Sequence, residues 1–311
     1  MKRIDLNRIK TTSIKKRHSK VSKQQVCREI AHAGLGKFVD SLPDLLRSAD
    51  LKILISKLQQ ARKRRKPIIW MFGAHLVKVG LTPILNEVIS AEFAQQISTN
   101  NAGLIHDLEL AFYGHTSENV EESLLTGEFG MTQETAEHYA ALVALADSAG
   151  IGLGEAAGCY ISDNAPQAGL SVFATAYQKQ IAATVHVAIG ADIVNCHPSY
   201  DGAAVGAASQ LDFKLFCETT THLKNGGVVL NFGSAVLMPE VFLKAMSVAR
   251  NLDPKFTKFT TANFDMITHY RPRQSLVNRP RLLGAESFDF AGHHEIMLPL
   301  LWAALKDKVG V

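Results

Sequence analysis

Pro67-Ile68-Ile69-Trp70-Met71-Phe72-Gly73-Ala74-His75 decides the fold, because an unbroken apolar run of strand length gives way there to small residues. A run apolar on both faces suits a strand covered on both sides, as in a parallel sheet. Five more stretches read as strands: Phe93 to Ser98, Ala183 to Ile189, Asp192 to Cys196, Gly227 to Asn231 and Phe256 to Ala262. Helical periodicity lies between them, as in Thr132 to Ala149 and Pro239 to Arg250, with Pro239 as a first helical residue and Glu240 suited to the first turn. Strands separated by helices make βαβ units and a largely parallel sheet. No repeat, low-complexity tract or Pro/Ser linker divides residues 40–305. The expectation is a basic N-terminal segment over 1–40 and a single α/β catalytic domain over 41–311.

The 311 residues are 47% hydrophobic and 20% charged, which excludes disorder, collagen and a disulfide scaffold. No stretch approaches the roughly 20 apolar residues of a membrane span, and the N-terminus lacks the apolar core of a secretory signal. A cytoplasmic protein is expected, with no membrane partner. The net charge of +4 hides an asymmetry: residues 1–30 hold ten Lys/Arg against Asp5 and Glu29, which leaves the rest of the chain at −4. The arm lacks interleaved aromatics and no nucleic-acid motif follows it, so contact with a neighbouring subunit is favoured over nucleic acid. The run Arg62-Lys63-Arg64-Arg65-Lys66 closes a predicted helix before Pro67, where cations complement the helix dipole. Cys27, Cys159, Cys196 and Cys217 show no paired spacing and read as free thiols.

In a parallel sheet, ligands bind beyond the carboxyl ends of the strands. The chain places Gly73-Ala74-His75, Asn100-Asn101-Ala102-Gly103, His197-Pro198-Ser199-Tyr200-Asp201-Gly202, Asn231-Phe232-Gly233-Ser234 and Asn263-Phe264-Asp265 after predicted strands. Small residues allow close approach to a ligand, while Asn and Asp supply polar partners. Gly152-Leu153-Gly154-Glu155-Ala156-Ala157 matches a GxGxxA dinucleotide fingerprint, but a helix ending at Gly150 precedes it instead of a strand, so a turn between helices is expected. Of twelve histidines, His75, His106, His197, His269, His293 and His294 lie at strand ends or in the loops after them. They suit general acid and base work or, with Asp107, Asp201 or Glu295, a divalent metal such as zinc, although no standard metal spacing is present.

Laid out in order, these segments resemble the deoxyhypusine synthase family from about residue 67 to 305. The resemblance runs through Ala74-His75-Leu76, Asn101-Ala102-Gly103-Leu104 with His106-Asp107, His197 to Gly202, Gly226-Gly227-Val228-Val229, Thr260-Thr261-Ala262 with Phe264-Asp265, Arg271-Pro272 and Pro299-Leu300-Leu301. It implies a Rossmann-like sheet with helices on both faces, a homotetramer, and NAD bound at subunit interfaces. It also implies cofactor contacts from Ala74, Asn101, Ala102, Gly103, Asp201, Gly226, Gly227, Thr261 and Ala262. The family's aspartate before the last helix is His293 here. Its imine-forming lysine falls at Asn278-Arg279-Pro280, and no lysine occurs between Lys258 and Lys306. Arginine stays protonated and is a poor nucleophile. The family's polyamine-binding acids fall at Ala207, Thr268 and Gln274, all uncharged.

The expected protein is therefore an NAD-binding, transferase-type enzyme of the deoxyhypusine synthase-like class acting on a small substrate other than spermidine. His75, His106, Asp107, His197, His269 and His293 are expected to line its site. Two alternatives stand beside it: a metal-dependent hydrolase or lyase using the His/Asp cluster, and a catalytically inactive regulatory homologue.

Overall fold

The computed structural model describes residues 34–309, so the basic arm and Cys27 lie outside the described residues. Six strands, β1 (Ile68–Phe72), β2 (Gln96–Asn100), β3 (Ala182–His186), β4 (Val228–Phe232), β5 (Thr260–Asp265) and β6 (Glu286–Ala291), form one sheet in the order β3-β2-β1-β4-β5-β6. Every neighbouring pair is parallel. The chain builds outward from β1 through β2 to β3, then returns to lay β4 on the other side of β1. That reversal is the switch point of a doubly wound Rossmann-like α/β fold, where the crossovers leave the sheet in opposite directions and open a crevice.

Helices cover both faces: α1 (Leu35–Ser41), α2 (Leu46–Lys63), α3 (His75–Lys78), α4 (Thr82–Ser90), α5 (Asn101–Tyr113), α6 (Val120–Thr126), α7 (Gln133–Ala149), α8 (Leu153–Asn164), α9 (Val172–Gln178), α10 (Gly202–Thr221), α11 (Leu237–Leu252), α12 (Tyr270–Pro272), α13 (Arg279–Leu282) and α14 (His294–Val309). Among the described residues no single helix is long and apolar enough to cross a membrane.

Strand alternation splits the core in two. Ile68, Trp70 and Phe72 join one cluster, while Ile69 and Met71 join a second under Phe216 of α10 and Phe242 of α11. On the first face the register Phe232↔Phe264↔Phe290 stacks three rings, with centroids 4.3 and 4.6 Å apart. On the second face the next row is polar: Asn231 Nδ2 donates to Asn263 Oδ1 at 2.8 Å, and Asn263 Nδ2 to Asp289 Oδ1 at 2.9 Å.

Several expected boundaries move. Residues 192–196 are not a strand but a 3-10 turn, Ile193–Cys196. The β-branched pair Ile193-Val194 imitates a strand, but Asp192 and Asn195 form a reciprocal capping box that winds the backbone instead. β2 and β5 begin three and four residues later than the apolar runs suggest, and α11 begins at Leu237, two residues before Pro239. β6 was not expected at all. The GxGxxA stretch follows the turn out of α7, with Gly152 as the N-cap of α8 and the rest in its first turns, and a Cβ on Gly154 would lie 2.1 Å from the Ala183 carbonyl oxygen. Its glycine serves the close packing of α8 on β3.

Helix α10 also seals the free edge of β3. Asp212, 1% exposed, accepts from Val185 N at 2.8 Å and Gly154 N at 3.1 Å through one oxygen. Ser209 Oγ accepts from Val187 N and donates to Val185 O. Burial pushes the Asp212 carboxyl up to about 7, against the pull of those backbone donors. The folded value lies above the unfolded one, so this stabilising contribution is complete below about pH 4 and is lost as pH rises through 7. Asp212→Asn keeps an oxygen for both donors and removes the titration. The urea midpoint of the wild type is expected to fall between pH 5 and pH 8 by more than that of Asp212→Asn; equal falls would refute the assignment.

Candidate functional site at the carboxyl edge of the sheet

At the reversal, β1 and β4 end almost in contact. Gly73 N donates to Phe232 O at 2.9 Å, and a Cβ on Gly73 would lie 2.4 Å from the Gly233 carbonyl oxygen. Gly233 holds φ +67°, and a Cβ there would sit 2.6 Å from His294 Nε2. Only glycine lets these ends close under the His294 ring.

Two histidines flank one aspartate above this crossing, and a third packs on the ring of one of them. Asp265, at the end of β5, has Oδ1 3.9 Å from His294 Nε2 and Oδ2 3.8 Å from His269 Nε2. His75, the first residue of α3, meets the His294 ring edge-on at 5.8 Å. The carboxylate is anchored by Met266 N, which donates to Oδ1 at 2.8 Å. Asp265 Oδ2 and His294 Nδ1 are buried and have no hydrogen-bond partner among the described residues. Burial lowers the His294 pKa and nearby His75 lowers it further, while Asp265 pulls it back up. These influences together favour the neutral ring, which keeps a lone pair on one nitrogen.

A second part of the edge lies over β2. His106 on α5 lines a cavity of about 180 Å³ with Lys78, Glu109, Glu118 and Asp192. Its Nδ1 is 2.7 Å from Thr116 Oγ1, and Thr116 donates on to Glu109 Oε2. Burial raises the Glu109 pKa, but bonds from His106, Thr116 and Thr135 outweigh it and hold the carboxyl below its usual range. Burial raises that of Asp192. His75 and Lys78 are one helical turn apart on α3, so the two parts adjoin. Beyond them a cavity of about 300 Å³ is lined by Tyr139, Ser199, Tyr200 and Asp201.

The remaining expected residues scatter. Asp107 is 0% exposed and accepts from Ser171 Oγ and Val172 N at the start of α9, facing the interior. His197 lies on the β3 side of the sheet, just past the 3-10 turn, with a buried Nε2 that has no partner among the described residues. His293 points outward with 64% of its side chain exposed. Ala74, Asn101, Ala102, Gly103 and Asp201 all stand on the carboxyl edge. Asn100 Oδ1 accepts from Gly103 N, Asn101 Oδ1 accepts from Tyr139 OH at 2.9 Å, and Asp201 caps α10 through Ala203 N and Ala204 N. Thr261 and Ala262 lie inside β5, where Thr261 Oγ1 donates to Leu276 O. Gly226 and Gly227 precede β4, at the opposite edge. Asn278-Arg279 lies where a π-helical turn, Arg273–Asn278, meets α13.

Asp265 and His294 are the central pair, and only helical phase separates His294 from its neighbour. His294 falls in step with the buried Leu298, Leu301 and Leu305 of α14, a pattern that marks it as the inward member of His293-His294. Among the described residues no group of three or more His, Cys, Asp or Glu is arranged to hold a metal ion, so the metal-dependent alternative finds no ligand set there.

No protein-family model matches the chain, and no curated protein matches it. Solved structures share the fold. A conserved protein from Methanococcus maripaludis S2, given as a candidate LOR/SDH protein, superposes with TM-score 0.54 and 14% identity over 95% of this chain and 76% of that one. The ternary complex of AgrE with ornithine and NAD+ gives 0.52 and 13% over 84% of this chain, which spans 33% of AgrE. A candidate deoxyhypusine synthase from Entamoeba histolytica gives 0.51 and 11% over 88% and 93%. These similarities define a Rossmann-like α/β protein, and the relationship to deoxyhypusine synthases is a distant one of fold.

Proposed function

We propose that the chain is a nicotinamide-dinucleotide-binding enzyme that works at the carboxyl edge of its sheet on a small substrate other than spermidine. The observation that carries this reading is the buried pair Asp265 and His294 at the β1/β4 switch point, each with a polar atom left without a partner. Such groups are costly to bury, and they concentrate where a ligand or a reaction uses them. The residues present fit a dinucleotide: Ala74, Ala102, Gly103 and Asp201 lie along that edge, and the buried Asp265 Oδ2 has no hydrogen-bond partner among the described residues and could accept from a ligand hydroxyl. Bound there, the nicotinamide would accept or return a hydride.

His294 would take the substrate proton, with Asp265 orienting the ring and stabilising its charged form. His75 and His269 would flank the reacting centre. The adjoining cavity, with the Lys78 ammonium and the carboxylates of Glu109, Glu118 and Asp192, suits a small molecule carrying both charges. AgrE, whose complex contains ornithine and NAD+, supports this reading by fold likeness. The missing lysine argues against imine transfer. Met266, Ile267 and Tyr270, which follow β5, and Ile296 on α14 are 40%, 63%, 66% and 61% exposed, and covering them favours a homo-oligomer, for which the resemblance suggests a tetramer.

Isothermal titration with NAD and NADP is the test. Saturable binding is expected for one of them, weakened by Asp265→Asn with His294→Gln. Absence of binding at millimolar concentration overturns the cofactor assignment.

A further inference from the structure

The opposite edge of the sheet carries a second cleft. A cavity of about 300 Å³ opens there between the last turns of α2 and the turns that precede β4, β5 and β6. Lys57, Gln60 and Arg64, spaced i, i+3 and i+7, form one stripe of α2 facing it. Lys258 faces it from the turn before β5. Three cations therefore line the cleft against a single acid, Glu286, and that acid is tied to Lys57 Nζ. Neither Arg64 nor Lys258 has a side-chain partner among the described residues.

The basic run at the end of α2 divides by use. Arg62 lies over the Phe93 ring at 4.9 Å, and Lys66 Nζ donates to Lys224 O at 2.9 Å. Arg64 is the member turned into the cleft. Helix-dipole complementation explains cations at this terminus, but it does not place Lys258, from a different element, across the same cavity. The rim is also held in shape. Asn225, Lys258 and Gly284 have φ of 61°, 58° and 72°, and Asn225 N donates to Thr257 O at 3.2 Å, which joins the turns before β4 and β5.

We propose that this cleft is a binding site for a small phosphorylated anion, separate from the carboxyl-edge site and independent of its assignment. Arg64 would meet the phosphoryl oxygens with its paired N–H groups and Lys258 would supply a point charge. The size suits one or two phosphoryl groups. An extended nucleic acid is disfavoured, because the one aromatic residue in the lining, Phe259, is 2% exposed and offers no stacking face.

Inorganic pyrophosphate is the probe, titrated calorimetrically into the full chain. The expected result is saturable binding that weakens with ionic strength and falls at least about tenfold in Arg64→Ser/Lys258→Ser, with NAD titration unchanged. Both side chains are exposed, so circular dichroism should show the variant folded. Three outcomes overturn the proposal: no binding by the wild type, equal affinity in the double variant, or displacement of pyrophosphate by NAD. Displacement by a DNA duplex with affinity growing with duplex length would assign the surface to nucleic acid instead.

Discussion

Phe264→Ala is expected to cost about 4 kcal/mol and to lower the melting temperature by roughly 10 °C. Phe264 is fully buried on β5, and its ring lies between Phe232 at 4.3 Å and Phe290 at 4.6 Å. The three rings occupy one register row on adjacent strands. Truncating the middle one removes contacts on both of its faces, and fixed backbone spacing prevents the outer rings from closing the gap. Phe264→Leu, which refills part of the volume, should recover more than half of the loss. Thermal unfolding read by circular dichroism measures both variants. A loss below about 1 kcal/mol for the alanine variant would show that the stack can collapse. Asp265 follows Phe264 directly, so the cavity variant should also weaken any ligand held at the carboxyl edge.

Gly73→Ala is expected to cost about 3 kcal/mol, from overpacking instead of a void. The new methyl would face the Gly233 carbonyl oxygen at 2.4 Å and its carbon at 2.9 Å, both backbone atoms of the adjacent strand end. Relief requires β1 and β4 to separate at the place where their hydrogen bonding continues from Gly73 N to Phe232 O. Gly80→Ala is the control. Gly80 has φ +77° but open space around it, so its penalty is conformational alone and should be about 1 kcal/mol. Denaturant midpoints decide between them, and equal costs would mean that the close crossing of the two strands is not rigid.

The α/β class was legible because β1 is a continuous apolar run and β4 opens on Val228-Val229-Leu230, the signature of strands covered on both faces. β6 escaped because Glu286 to Ala291 alternates: Phe288 and Phe290 point to the core while Ser287 and Asp289 join the polar face. A search for unbroken apolar runs does not see such an edge strand. Asp192 to Cys196 deceived in the opposite sense, since β-branching is local whereas the Asp192–Asn195 capping box depends on side-chain geometry. Chemistry was legible as residue type and strand-end position, which brought His75 and His269 into view. The convergence on Asp265 was not, because it joins the ends of β1, β5 and β6, and β6 was missing from the count. Asp107 shows the limit of resemblance: its motif position is right for a polar ligand, but the side chain turns inward to hold α9.

The sealing of β3 constrains how copies of this chain can assemble. Val185 N, Val185 O and Val187 N are all bonded within the chain, and Gly154 packs against Ala183 O. On the far side, Arg281 donates to Ser287 O of β6 at 2.7 Å. At the β3 border a neighbouring subunit finds these main-chain groups already bonded, which disfavours extending one sheet into the next across that edge. Contacts made through helix surfaces, unlike an extended sheet, would let subunits separate or rotate without breaking strand pairing.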